Sequence, residues 1–381
     1  MNVKRGFILV LVFILGLGVA WARANGPPQF PKNPTFSTLI TMSFVIEGLT
    51  GDQFGNLYTA GVGNPCPVWR INLANPSLVV VGNLSAPCFP LGIALNDLGD
   101  LFVANAADGT IYTFTPNSAA PPTAVAFATG FPGSNGIAFD RNGNLFVSDG
   151  TTGQGRVWKI TPGAVVTEAF RIPPMRNSTA LGGMVGGSGV GREINNVSQL
   201  TSQPQDIVAN GLAFTKEGDL LVTDTARGAI WKVEFDRRGN LKSETGCDPT
   251  LTANTLCLSN VFVAHPVLEG ADGIALDRAG NMWVDANERN AVGVVTKDGR
   301  VAEVFRNDPD PMTNLRNTGP LEFPSSPFIS GKIFCTANFD RDRRDNDPNT
   351  AGEIGGGGQP LGKISCMDQE VKIQGLPLPI Q

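Results

Sequence analysis

The chain has 381 residues, 41% hydrophobic and 17% charged, with a formal net charge of −5. That length suffices for one large core or two ordinary domains. The acidic balance argues against nucleic acid or an anionic membrane as a partner, because the summed field repels both.

The N-terminus reads as a processing signal covering residues 1–24. Lys4 and Arg5 form a positive region, Phe7 to Ala20 is an apolar and glycine stretch, and Ala22-Arg23-Ala24 supplies the small-x-small pattern that signal peptidase reads. Cleavage after Ala24 removes Lys4, Arg5 and Arg23 and no acid, which takes the net charge from −5 to −8. The apolar run is shorter than the roughly 20 residues of a membrane span. The expectation is a secreted or periplasmic protein with no stable membrane insertion after cleavage. Residues 25–37 read as a linker and 38–381 as one folded body. Cys66, Cys88, Cys247, Cys257, Cys335 and Cys366 fall into three sequence-local pairs. An even number in an exported chain reads as disulfides, here Cys66–Cys88, Cys247–Cys257 and Cys335–Cys366. No C-x-x-C spacing exists, which argues against a thiolate zinc site.

From Thr38 to Val45 the chain reads as a strand preceding a series of repeats. The phrase GLTGDQFGNLYTAG at 48–61 returns at 92–105, 136–149, 211–224 and 273–286, with a degenerate copy, SSPFISGKIFCTAN, at 325–338. Each copy predicts a hairpin. Gly136 to Asp140 alternates like a half-buried strand, Arg141-Asn142-Gly143-Asn144 is a turn needing positive φ at Gly143, and Leu145-Phe146-Val147 is the return strand. Third strands are read at Arg156–Ile160 and Ala229–Val233, and a fourth at Arg300–Phe305. The turn glycines Gly55, Gly99 and Gly143 recur every 44 residues, and the later intervals to Gly218, Gly280 and Gly331 are 75, 62 and 51. This predicts an all-β fold: a six-bladed β-propeller with four-stranded antiparallel blades, the Thr38–Val45 strand completing the last blade and closing the ring. A glycine-rich insertion at about 161–207 reads as a flap over one mouth or as a solvated linker.

The chemistry lies in the residue just before the first glycine of each copy. That column reads Glu47, Leu91, Asn135, Asn210, Asp272 and Ser325. Two carboxylates and two amide oxygens from different blades would face one axis, a set that suits a hard divalent cation, calcium above all. The competing reading makes the same side chains turn caps. A second column, Asn105, Asp149, Asp224 and Asp285, ends the second strands and reads as caps, with Asp285 placed to reach the substrate side. The acidic run Asp340 to Asp347 breaks the EF-hand pattern at Arg344 and reads as a solvated loop. His265 stands alone in the chain, so multi-histidine zinc chemistry is excluded, and no G-x-S-x-G elbow is present.

These pieces resemble the gluconolactonase/regucalcin (senescence marker protein) family of six-bladed propellers. The resemblance rests on Glu47-Gly48, Ser134-Asn135-Gly136, Asn210-Gly211-Leu212 and Asp272-Gly273-Ile274, and on Ile333 to Ala337 followed by Gln359 to Ile364. It implies Glu47, Asn210 and Asp272 as ligands of one divalent cation, Asn135 as a further substrate contact, and Asp272 as the catalytic base of a metal-dependent hydrolase acting on a small-molecule lactone or ester. Glu47-Gly48-Leu49-Thr50 departs from the Pro-x-Trp that often follows the family's Glu, so the resemblance does not carry gluconolactone itself as the substrate. Paraoxonase-type propellers are similar but lean on histidines this chain lacks. Two alternatives stay open: a binding propeller with a structural cation, and a strictosidine-synthase-like propeller that works without metal.

Overall fold

A computed structural model describes residues 30–31, 34–174, 207–341, 344–346 and 361–379. The proposed signal segment and the glycine run Gly182–Gly189 lie outside the described residues. The strands form six four-stranded antiparallel sheets, one per blade. Blade 1 holds β2 (Ile46–Gly51), β3 (Asn56–Gly61), β4 (Cys66–Asn72) and β5 (Asn75–Leu84). Blade 2 holds β6 (Pro90–Leu95), β7 (Leu101–Asn105), β8 (Thr110–Phe114) and β9 (Val125–Thr129). Blade 3 holds β10 (Ser134–Phe139), β11 (Leu145–Asp149), β12 (Arg156–Ile160) and β13 (Val166–Arg171). Blade 4 holds β14 (Leu212–Phe214), β15 (Leu220–Asp224), β16 (Ala229–Val233) and β17 (Val261–Ala264), and blade 5 holds β18 (Ala271–Leu276), β19 (Met282–Ala286), β20 (Ala291–Val295) and β21 (Val301–Arg306). Blade 6 is built from both ends of the chain. Its order is β22 (Pro324–Ser330), β23 (Ile333–Asn338), β24 (Lys363–Met367) and then β1 (Phe36–Thr41). The closing strand thus begins two residues earlier, and ends four residues earlier, than the sequence pattern placed it. Among the described residues there is no α-helix, and no helix is long and apolar enough to cross a membrane.

The hairpin turns show why the repeat carries Asp-x-x-Gly-Asn. Asp140 Oδ1 accepts the backbone N–H groups of Asn142 (2.8 Å) and Asn144 (2.9 Å), while Oδ2 accepts Nδ2 of Asn144 at 2.7 Å. Gly143 sits at φ +75°, which glycine adopts without strain. Asp277 and Asn281 repeat the arrangement in blade 5.

The hydrophobic core lies between blades. Phe146, Val157 and Phe170 of blade 3 pack with Leu212, Phe214, Val222 and Trp231 of blade 4. Leu49, Trp69 and Ile71 of blade 1 pack with Phe328 and Ile364 of blade 6. A blade therefore buries its faces only against its neighbours, as expected of a repeat architecture. All three cysteine pairs are bonded: Cys66–Cys88, Cys247–Cys257 and Cys335–Cys366.

Two sequence expectations change. The insertion in blade 3 begins later than residue 161, because Val166–Arg171 forms that blade's outer strand, paired with β12. Its residues are half-exposed, so its apolar alternation is weak. The acidic run is not wholly solvated either: Asp340 is buried, and its Oδ2 accepts the Leu361 N–H at 2.9 Å.

Past β24 the chain turns across one end of the axis. Gly375 N–H donates to Gly331 O (2.8 Å), Arg278 N–H to Gln374 O (2.8 Å), and Leu376 N–H to Leu276 O (2.7 Å). Leu376, Leu378 and Pro379 share an apolar axial cavity of about 100 Å³ with Ile93, Ile137 and Ile274.

Candidate cation site on the propeller axis

The innermost strands meet through glycine. A Cβ on Gly48, Gly92, Gly136, Gly211 or Gly273 would fall within 2.5 Å of the carbonyl oxygen of Leu91, Asn135, Asn210, Asp272 or Ser325 respectively. Each of these oxygens belongs to the column residue of the next blade. At the last junction the Ser325 hydroxyl donates to Glu47 O at 2.8 Å. The column thus runs once around the axis. The apolar cavity walls, such as Ile93, Ile137 and Ile274, lie two residues further along the same strands, a distance of about 7 Å.

The column side chains are all buried. Glu47 and Asn135 are 6% exposed, Asp272 5%, Leu91 4%, Asn210 2% and Ser325 0%. Asn210 Nδ2 donates to Thr225 Oγ1 at 3.1 Å, and its Oδ1 is buried without a hydrogen-bond partner. Glu47 Oε2 is buried without a partner as well. Burial raises the Glu47 carboxyl well above its ordinary range, and the negative charge of Asp272 raises it further. The two carboxylates therefore lie near enough to repel. Asp272 Oδ2 accepts from Asn287 Nδ2 at 2.8 Å. The Asn135 side chain packs so closely over Gly150 that a Cβ there would overlap it.

A buried acceptor without a donor costs about 1–3 kcal/mol, and more when charged. Two such oxygens on one ring, beside a second carboxylate, form a set of hard oxygen donors. A divalent cation would satisfy both their charge and their lone pairs. Glu47, Asn210 and Asp272 are donors of the kind that fit a hard divalent cation.

The second column divides. Asn105 Oδ1 accepts Phe89 N–H at 2.6 Å, Asp149 Oδ1 accepts Thr152 N–H at 3.0 Å, and Asp224 Oδ1 accepts Arg227 N–H at 2.9 Å. Asp149 also holds Arg156, and Asp224 holds Arg227 and the Trp231 indole. These three are caps. Asp285 is not. It pairs with Val292 as Thr223 pairs with Ile230, one residue short of the capping register, which Ala286 occupies. It is fully buried, with Oδ2 accepting from the Thr336 hydroxyl and Oδ1 unpartnered. Burial lifts its carboxyl well above the ordinary range and Asp272 adds to the rise, against the opposing hydrogen bond from Thr336.

An acid whose pKa is raised by folding binds more protons folded than unfolded. Stability then falls as pH climbs from the unfolded pKa, about 4, through the raised value. We expect Asp285→Asn to flatten part of that fall and to raise the denaturation midpoint at pH 7. Thermal unfolding in chelator from pH 4.5 to 8 checks this, and a variant with the wild-type slope refutes it.

Sequence reasoning missed Thr225 and Asn287. Each holds a column residue that comes from a different part of the repeat, and no local motif marks them. His265 is exposed and caps a short 3-10 turn by accepting Val267 N–H at 3.1 Å on Nδ1, away from any chemistry.

Comparison with known proteins follows the same line. The family model described as SMP-30/Gluconolactonase/LRE-like region matches residues 194–315, which span blades 4 and 5. No curated protein matches the chain in sequence. Among solved structures, a calcium-binding protein, regucalcin, from Agrobacterium tumefaciens is 17% identical, covering 89% of this chain and 95% of its own, with a TM-score of 0.59. A candidate gluconolactonase is 16% identical over 91% of this chain and 95% of its own (TM-score 0.55). A PQQ-bound aldose sugar dehydrogenase from Streptomyces coelicolor is 13% identical over 89% of this chain and all of its own (TM-score 0.54). At these identities the structures share the fold alone. They agree with the propeller read from the repeats: this chain is a six-bladed β-propeller in which residues 194–315 match an SMP-30/gluconolactonase/LRE-like region.

Proposed function

We propose that this protein is a cation-dependent hydrolase of a lactone or related ester. Glu47, Asn210 and Asp272 hold one divalent cation, with calcium the best match to the donors, and Asn135 contacts the substrate. The observation that carries this reading is the pair of buried, unpartnered oxygens, Glu47 Oε2 and Asn210 Oδ1, on the ring that also bears Asp272. The family match supports it, and so does the similarity to a propeller described as calcium-binding. When bound, such a cation would supply Lewis-acid polarisation and positive charge at the substrate carbonyl. Asp272 accepts the proton of the attacking water and returns it to the departing alkoxide oxygen as the ester C–O bond breaks. Asn287, bonded to Asp272 Oδ2, fixes the plane of that carboxylate. The net charge and the three disulfides are compatible with an extracellular or periplasmic protein acting on a small molecule. Export through the proposed signal at residues 1–24 belongs to this reading.

One observation favours a second reading, a binding propeller with a structural cation: every polar column side chain is at most 6% exposed. A panel of lactones and aryl esters, assayed on the mature protein with calcium and with chelator, separates the two. Turnover that requires calcium and disappears in Asp272→Ala is the expected result. Calcium binding without turnover of any panel member supports the structural cation. Turnover unaffected by chelator and by Asp272→Ala overturns the mechanism.

A further inference from the structure

Thr225 follows the last residue of β15 and lies between two elements of the axial site. Its Oγ1 is 2.7 Å from Ala271 O on β18 and 3.1 Å from the Asn210 amide nitrogen. A hydroxyl has one proton to give. A carbonyl only accepts, so the proton lies on the Ala271 bond. The Asn210 atom facing Thr225 must then be a donor, which makes it Nδ2 and turns Oδ1 away from Thr225. The network, not the shape of the amide, sets this orientation. Oδ1 is the atom left buried without a partner.

We propose that Thr225 is a positioning residue, which presents the Asn210 oxygen to the cation and ties that orientation to the strand bearing Asp272. The inference rests on the cation reading above. Geometry supports the tie twice. Thr223, two residues earlier and within β15, donates its hydroxyl to Asp272 O. Gly211, next to Asn210, donates its N–H to the same oxygen at 3.2 Å. One strand edge thus sets a side chain from blade 4 and the backbone that aims a side chain from blade 5. Thr225 is 3% exposed and Asn210 2%, so water is not at hand to replace either bond.

Valine at 225 keeps the shape and loses both hydrogen-bond functions. The Asn210 amide then has no acceptor to hold Nδ2, and the nitrogen is free to turn toward the cation position, where a donor repels a cation. Serine keeps both functions. The test is calorimetric titration of calcium into the chelator-treated mature protein, comparing wild type, Thr225→Val and Thr225→Ser. We expect the valine variant to bind about 10–100-fold more weakly, the range usual for loss of a ligand-orienting partner, with serine within about threefold of wild type. Denaturation midpoints of the cation-free proteins, measured alongside, show whether each variant is folded. Should the valine variant not fold, Thr225→Ala carries the same comparison against serine. Wild-type affinity in the valine or alanine variant overturns this proposal alone, as does serine binding as weakly as valine. A wild-type protein that binds no calcium overturns the cation reading, and this one with it.

Discussion

Calcium affinity is expected to fall by about two to three orders of magnitude in Glu47→Gln and, separately, in Asp272→Asn, since ligand charge count governs affinity at such sites. Both substitutions keep the side-chain shape and remove one negative charge. The effect on the cation-free protein should have the opposite sign. Glu47 is buried near Asp272, and burial and that charge both raise its pKa. At pH 7, above the unfolded carboxyl pKa, the folded state is carrying a cost that the neutral amide removes. Glu47→Gln in chelator should therefore melt no lower than wild type, and should lose less stability as pH rises from 4.5. The turn-cap reading predicts the reverse: a lower melting point, from about 1 kcal/mol of lost capping, and no change in binding. Calorimetric titration and thermal unfolding on the same samples decide between them. Binding retained in both variants removes the ion from the axis.

A mature chain truncated through Thr41 should lose most of its stability and aggregate. Deleting Phe36–Thr41 takes away the outer strand of blade 6, which pairs with β24 from Phe36 opposite Met367 to Thr41 opposite Lys363. It also removes the Phe36 ring, packed 4.7 Å from Phe305 and 5.9 Å from Phe334. The exposed edge of β24 would then offer unpaired backbone groups to other chains. The expected loss exceeds about 4 kcal/mol, the range reserved for changes that break an architecture. Denaturant unfolding and light scattering measure it. A synthetic peptide covering residues 35–42 should restore part of the stability. A truncated chain that stays monomeric with an unchanged midpoint would show that the ring does not depend on this closure.

The blades were legible because each hairpin repeats its own chemistry. Asp140, Gly143 and Asn144 specify a turn within five residues, and the strands on either side alternate cleanly. The axial column was legible for the same reason, since equal positions in equal repeats must meet a common axis. Much of what stayed hidden depends on contacts reaching beyond the local hairpin turn. Thr225 and Asn287 act on side chains from other strands, and nothing in their own segments marks them. Asp285 was grouped with the caps because Met282-Trp283-Val284-Asp285-Ala286 carries its acid one place early, and alternation alone does not report a one-residue shift of register. Strand β13 escaped because an outer strand half in water loses the apolar signal. The apolar closing segment at Leu376 and Leu378 is non-repetitive, so no comparison between blades could find it.

Five of the six junctions around the axis are made by a glycine against a backbone carbonyl. The side chain of the column residue takes no part in those five contacts. Leu91 and Asn135 sit in adjacent blades with the same backbone role and unrelated chemistry. The ring is therefore a socket with interchangeable pins. Its geometry is written in glycines and peptide groups, its reactivity in the side chains that stand beside them. A shared fold with differing sites is what the similarity to both a protein described as calcium-binding and a PQQ-bound aldose sugar dehydrogenase illustrates. The separation of geometry from reactivity makes the column the natural place to begin when a new activity is to be built on this scaffold.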